Sequence, residues 1–423
     1  MNQLKPRESE ADQPGEAVPG SALLGALPDA LRAELIDFRR DLHMHPELGN
    51  QEFRTTAALK ARLEKAGLAP RVLGVGTGLV CDIGTGTETG EWEGGRGMLA
   101  LRADIDALPI PDTKTTCAYR STVPDRAHAC GHDVHTTVVL GAGLVLADLD
   151  RLGLLPNPVR LIFQPAEEVL PGGAADAIAC GALEGVRKII ALHCDPKVDA
   201  GRIGLRHGAI TSACDRLDVT LDGPGGHTAR PHLTTDLVTA VAKVATEVPA
   251  VVARRVDARS GLVLTWGRIE SGHICNVIPQ HAELSGTVRC LDLDAWREAP
   301  DVVHAAVQEI ADLYRAKPVV NYVRGVPPVV NDPAVTDLLR DAMTARRGPD
   351  SVEGTPQSLG GEDFSWYLEH VPGAMARLGV KPPQDRTSRD LHQGDFDVDE
   401  AAITVGVELF TAAALLDAAR SAP

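Results

Sequence analysis

The sequence predicts an α/β protein: a mainly parallel sheet covered by helices, with a ferredoxin-like α+β unit inserted into it. Three observations carry this expectation. Over residues 23–192, short apolar runs alternate with segments of helical apolar spacing, as in parallel sheets buried on both faces. Over 213–325 the order becomes β-α-β-β-α-β, the split ferredoxin-like unit. Beyond Val326-Pro327-Pro328, a candidate hinge, strands and helices of the first kind resume. The 423-residue chain suits more than one core, so residues 21–212 and 326–423 are assigned to one domain and 213–325 to the insertion. Residues 1–20, polar and acidic, are assigned to a disordered tail.

Taken in order, apolar spacing predicts helices over 23–42 and 55–66. Residues 79–83 and 98–105 read as strands around a glycine-rich turn, 84–97. A helix follows over 134–149 with Asp133 as its N-cap, then a buried strand over 159–163 closed by Gln164-Pro165. Residues 174–180 are helical and 188–192 form another strand. In the insertion, strands are expected at 216–221, 262–270, 282–289 and 318–324, with helices at 235–255 and 295–315. The last segment supplies helices at 334–346, 362–370 and 400–419 and a strand at 375–380.

Bulk properties narrow the function. A hydrophobic content of 44% with 24% charged residues is that of an ordinary globular chain. A net charge of -16 argues against nucleic acid or an anionic membrane surface as a partner. The eight cysteines are scattered and form no dense disulfide framework; with no signal-peptide pattern, a reducing cytoplasm is expected. No uninterrupted apolar run approaches the roughly 18 residues of a membrane span.

Three short runs carry chemistry: Ala129-Cys130-Gly131-His132-Asp133, Gln164-Pro165-Ala166-Glu167-Glu168 and Leu391-His392-Gln393. With His193, at the end of an apolar strand, they offer one thiol, three imidazoles and two adjacent carboxylates. That set suits two divalent metals with a general base to spare. A thiolate can bridge two borderline metals while a neighbouring imidazole binds one of them. Of Glu167 and Glu168, one would bind metal and the other move a proton, and chemistry alone does not assign them. Asp104 and Asp106 are candidates to orient ligand imidazoles. In the insertion, His227 can polarise a carbonyl, and Asn276 with Arg289 can clamp a carboxylate. The plainer alternatives are a buried free cysteine, capping histidines and solvated glutamates. In open α/β sheets the ligand site lies beyond the strand carboxyl ends, where Asp104, Glu167, Glu168 and His193 fall.

With these residues in view, the chain resembles the dimetal N-acyl-amino-acid amidohydrolases, the hippurate hydrolase and indoleacetyl-amino-acid hydrolase group related to carboxypeptidase-G-like and aminoacylase enzymes. The resemblance runs from about residue 35 to 416. It rests on Asp41-Leu42-His43-Met44-His45-Pro46-Glu47-Leu48, Leu101-Arg102-Ala103-Asp104-Ile105-Asp106-Ala107-Leu108-Pro109 and His128-Ala129-Cys130-Gly131-His132-Asp133. Further along it rests on Phe163-Gln164-Pro165-Ala166-Glu167-Glu168, Gly225-Gly226-His227, Asn276-Val277-Ile278-Pro279, Gly361-Glu362-Asp363-Phe364 and Leu391-His392. It implies that Cys130 bridges two metals, manganese or zinc, or else cobalt or nickel, with His132, Glu168, His193 and His392 as the other ligands. Glu167 would be the general base. His227 would reach the active site of the partner in a homodimer, or a higher homo-oligomer, built through the inserted domain as dimerisation unit and lid. Asn276 and Arg289 would hold the substrate. The implied reaction is amide hydrolysis of an N-acyl or N-aroyl amino acid. The chain departs from the group at residues 112–122, a candidate lining of the acyl pocket, and at 271–275.

Within the same chemistry, a dipeptidase or an N-acetyl-diaminopimelate-type deacylase is the nearest alternative. A cysteine amidase using Cys130 and His132 would leave Glu167, Glu168, His193 and His392 without a task. A non-catalytic, metal-stabilised small-molecule binding protein would have no use for Glu167.

Overall fold

The computed structural model describes residues 25–84, 97–382 and 389–420. The expected tail, 1–20, and most of the glycine-rich turn, 84–97, lie outside them.

The larger layer is an 8-stranded sheet in the order Arg71–Val72, Leu79–Ile83, Val159–Gln164, Met98–Asp104, Val186–Asp199, Gly373–Lys381, Ile203–Leu205, Val352–Gly354. Its centre is parallel: Met98–Asp104 runs parallel to Val159–Gln164 and to Val186–Asp199, which runs parallel to Gly373–Lys381. Antiparallel pairings flank this centre, at Leu79–Ile83 on one side and Ile203–Leu205 on the other. The central strands are apolar along almost their whole length because helices or loops cover both faces. One face packs against the helices Asp29–Met44, Phe53–Lys65, His132–Arg151, Pro333–Arg347 and Ala401–Arg420. The other carries the short helices Ala174–Ala179 and Ser365–Leu368.

The helix Ala401–Arg420 is apolar all round, and its composition would suit a membrane span. It is instead a core element, with 83% of its apolar window buried against the sheet and neighbouring helices. The expected helix over 362–370 is reduced to the single turn Ser365–Leu368. Glu362 and Asp363 are drawn out of it by Arg102, as described below.

Strands Cys214–Asp222, Val263–Ser271, His281–Arg289 and Lys317–Val326 form a second, 4-stranded antiparallel sheet. Its spatial order, Val263–Ser271, His281–Arg289, Cys214–Asp222, Lys317–Val326, is that of the ferredoxin-like unit. The helices Leu237–Arg255 and Leu293–Leu313 pack their apolar stripes on one face, around Leu217, Val244, Leu284 and Val307. Both helices begin with an aspartate cap: Asp236 accepts from the Thr239 N–H and Asp292 from the Ala295 N–H. Between the two sheets lies a cavity of about 350 Å³.

Candidate active site

The loop before helix His132–Arg151 sets the first two candidate ligands. Gly131 adopts φ 89°, and a Cβ there would lie 2.8 Å from the Cys194 sulfur, so the turn admits glycine alone. The expected cap, Asp133, lies within the first turn of the helix, and Gly131 is the N-cap. The Asp133 carboxylate is spent elsewhere: it is fully buried against Arg39 Nε and His43 Nδ1, each at 2.7 Å.

Glu167 and Glu168 follow a second constrained turn. Ala166 takes φ 56°, a left-handed conformation unusual for alanine, and its N–H donates to Glu52 Oε1 at 2.7 Å. His392 is likewise left-handed, at φ 64°. Left-handed backbone thus sits at His392 and at the residue immediately before Glu167 and Glu168.

The structure brings Cys130, His132, Glu167, Glu168, His193 and His392 together. Cys130, His132 and His193 offer ligand atoms within 4.8 Å of one another, and so do Cys130, Glu168 and His392. The two triads share only Cys130. Hydrogen bonds fix which ring nitrogens face inward. His132 Nδ1 lies 3.0 Å from the Asp106 carbonyl and 3.2 Å from its carboxylate, which leaves Nε2 free. His193 Nδ1 donates to the Cys194 carbonyl at 2.8 Å, leaving Nε2 3.5 Å from the Cys130 sulfur. His132 Nε2 and Glu168 Oε1 are buried without a hydrogen-bond partner and stand 3.9 Å apart. Orphaned, buried and converging donor atoms of S, N and O type fit divalent metal ions.

Asp106 joins the two halves, since its other oxygen accepts the Glu168 N–H at 2.9 Å. Asp104 holds the neighbouring His135 at 2.6 Å, and His135 Nε2 in turn accepts the Cys194 N–H at 2.8 Å. Asp104 also stands 3.7 Å from His132 Nε2. His43 and Glu47 have supporting tasks: His43 braces Asp133, and Glu47 accepts the N–H groups of Arg54 and Thr55 at the start of helix Phe53–Lys65.

Electrostatics separates the two glutamates. Burial opposes the charge of both. Glu168 is nevertheless held below the usual carboxylate range by His392 and His132. Glu167 is pushed well above it, first by burial and then by the negative charges of Glu362 and Glu168. A ligand should stay ionised, whereas a proton carrier gains from a raised pKa.

Arg289 lines the cavity and donates to the Leu359 carbonyl. His227 and Asn276 do not line it. They lie on an exposed two-stranded ribbon, with Gly226–His227 against Val277–Ile278, and the Thr228 N–H donates to the Asn276 carbonyl at 3.3 Å. Three groups to which the sequence reading gives no role also belong to the site. Arg102 is fully buried and binds Gln164, Asp104, Asp363 and Glu362 at 2.8–3.2 Å. Glu362 thereby faces Glu167. Arg377 lines the cavity wall. A lone arginine inside an otherwise apolar strand was the available signal for Arg102 and for Arg377 alike.

Residues 100–416 match the peptidase family M20/M25/M40. A Rhodococcus jostii protein named for glutamate–cysteine ligase is 48% identical over 384 residues, 91% of this chain; the chain spans only 47% of that protein's length. The N-acetyl-L-cysteine deacetylase of Bacillus subtilis is 38% identical over 88% of this chain and 85% of its own. Among solved structures, a dinuclear metal-binding M20 peptidase from Bacillus subtilis superposes with a TM-score of 0.78 at 30% identity, over 93% of this chain and 99% of that one.

Proposed function

Because the chain belongs to peptidase family M20/M25/M40, we propose that it is a dimetal amidohydrolase that cleaves N-acyl or N-aroyl amino acids to a carboxylic acid and a free amino acid. The observation that carries this reading is the pair of donor triads sharing Cys130, with the protonatable Glu167 beside them. Cys130, His132, His193, Glu168 and His392 would hold the ions, Cys130 being common to both triads. Zinc suits the thiolate and imidazoles, and manganese is admitted by the carboxylate. When bound, the ions supply Lewis acidity toward the scissile carbonyl and the attacking water.

The residues of the chain do the rest. Glu167 accepts a proton from the water and returns it to the leaving nitrogen. The neighbouring Glu362 keeps its proton affinity high. Asp106 and the Cys194 carbonyl hold the imidazoles of His132 and His193 in the tautomers that leave Nε2 unprotonated. Arg289 holds the substrate carboxylate. His227 and Asn276 are assigned to the site of the partner in a homodimer built through the inserted domain. Their exposure on a ribbon away from the cavity of their own chain supports this, as do the exposed apolar side chains of Ile274 and Val277 beside them.

The test is amine release from N-acetyl, N-benzoyl and indoleacetyl amino acids, using chelator-stripped protein with and without manganese or zinc. Metal-dependent release is the expected result. Release without metal would favour a cysteine nucleophile, and no release with any metal would overturn the substrate class.

A further inference from the structure

Four arginines are buried among the described residues: Arg39, Arg102, Arg160 and Arg377. Three have carboxylate partners. Arg39 binds Asp133, Arg102 binds Asp104 and Asp363, and Arg160 binds Asp82 through both Nε and Nη2 at 2.7 Å. Arg377 differs. It is 7% exposed, and among the described residues it has neither a hydrogen-bond nor an ion-pair partner. The acidic groups that feel its charge, Asp195, Glu362 and Cys130, act on it only at longer range, and burial holds its pKa below the usual arginine range.

Its position explains where a partner would come from. Arg377 is the fifth residue of strand Gly373–Lys381, paired across the parallel ladder with His193, and its side chain forms part of the cavity wall. A buried guanidinium with no counter-charge in contact is unfavourable, and metal ions on the adjacent ligands would add positive charge to the same wall. A planar fork of N–H donors at the edge of a small-molecule cavity matches a carboxylate.

We infer that Arg377 is the receptor for a second carboxylate on the substrate, distinct from the α-carboxylate assigned to Arg289. The preferred substrates are then N-acyl amino acids with an additional carboxylate, carried either by the acyl chain or by the amino-acid side chain. This inference rests on the N-acyl amino acid reading of the cavity.

Two matched pairs test it in metal-loaded enzyme: N-acetyl-glutamate against N-acetyl-glutamine, and N-succinyl-alanine against N-butyryl-alanine. The wild type is expected to favour the extra carboxylate in one pair by about tenfold to a hundredfold in kcat/KM, and the responding pair locates the group. Arg377→Met should bring that ratio close to one, chiefly through KM, and Arg377→Lys should retain part of it. No preference in either pair of an active enzyme, or an equal loss on both members in Arg377→Met, would overturn the inference.

A second measurement separates it from the reaction itself. Glutarate is titrated into metal-free protein by calorimetry, with thermal unfolding followed in parallel. Binding by the wild type and its loss in Arg377→Met supports the subsite even if no N-acyl amino acid is cleaved; no binding by the wild type counts against it. Ligand-free Arg377→Met is expected to melt at or above the wild-type temperature, because it removes an unpaired buried charge. A clear fall, or failure to fold, would show that the guanidinium has an internal partner and would overturn the inference.

Discussion

The two adjacent glutamates illustrate how environment divides labour between identical side chains. Glu168 faces imidazoles and is held ionised, while Glu167 is buried and crowded by negative charge. Glu167→Gln is therefore expected to keep its full metal content, read by elemental analysis, and to lose about 10²–10⁴-fold in kcat. Glu168→Gln should lower metal occupancy as well as rate. Equal metal loss in both variants would undo the assignment. At this scale much of the site could be read from sequence, because Cys130, His132, Glu167, Glu168 and His392 lie in short runs whose residue types name their chemistry. Arg377 and Glu362 could not be read that way. Arg377 is a polar position flanked by apolar residues inside a strand, and Glu362 matters only because Arg102, distant in sequence, pulls it toward Glu167.

Strands and helices were largely legible wherever apolar periodicity decides the matter, as in Leu79–Ile83, Leu237–Arg255 and Ala401–Arg420. The short strands Ile203–Leu205 and Val352–Gly354 were not, since three residues carry no measurable period. Long-range polar contacts also overrode local signals. Asp133 resembles a helix cap yet serves Arg39 and His43, and the helix expected over 362–370 gives way to the Arg102 network. Arg102 ties the central strand Met98–Asp104 to the loop carrying Asp363. Arg102→Leu would leave several buried carboxylates unmatched and is expected to lower unfolding stability by about 3–5 kcal/mol in urea titrations. A loss below about 1 kcal/mol would mean that the carboxylates find other partners or protonate without penalty.

Asp133 gives these elements a pH dependence of known sign. Burial opposes its ionisation, but Arg39 and His43 outweigh burial and hold its folded pKa well below the usual value. Its contribution to stability is thus complete above the unfolded pKa, about 3.9, and is lost as pH falls toward the depressed folded value. In metal-free protein, urea melts between pH 5 and pH 2 should show stability falling with acid, and Asp133→Asn should flatten that fall. An unchanged slope in the variant would assign the acid sensitivity to other carboxylates.

At the scale of the whole molecule, the proposed dimer makes a quantitative prediction. His227→Ala and Glu167→Gln chains should each be nearly inactive alone. If His227 serves the partner's site, refolding them together in equal amounts should restore about a quarter of wild-type activity, because half the dimers are mixed and each has one intact site. No recovery, with mixed dimers present by sedimentation, would place the role of His227 in its own chain and overturn the assignment to the partner's site. The dimer is an expectation carried by the family resemblance of the sequence, with no surface stripe beside it. The order of the sheet has a consequence for biosynthesis. Gly373–Lys381 slots between Val186–Asp199 and Ile203–Leu205, and His392 follows it. The contiguous inserted unit can fold on the ribosome, whereas the 8-stranded sheet keeps an unfilled gap until residues 373–381 have been made. A nascent chain therefore lacks a complete donor set until His392 has been made, and metal capture by the full set would follow that step. Chains that terminate before Gly373 would present two open strand edges, a strong invitation to aggregate.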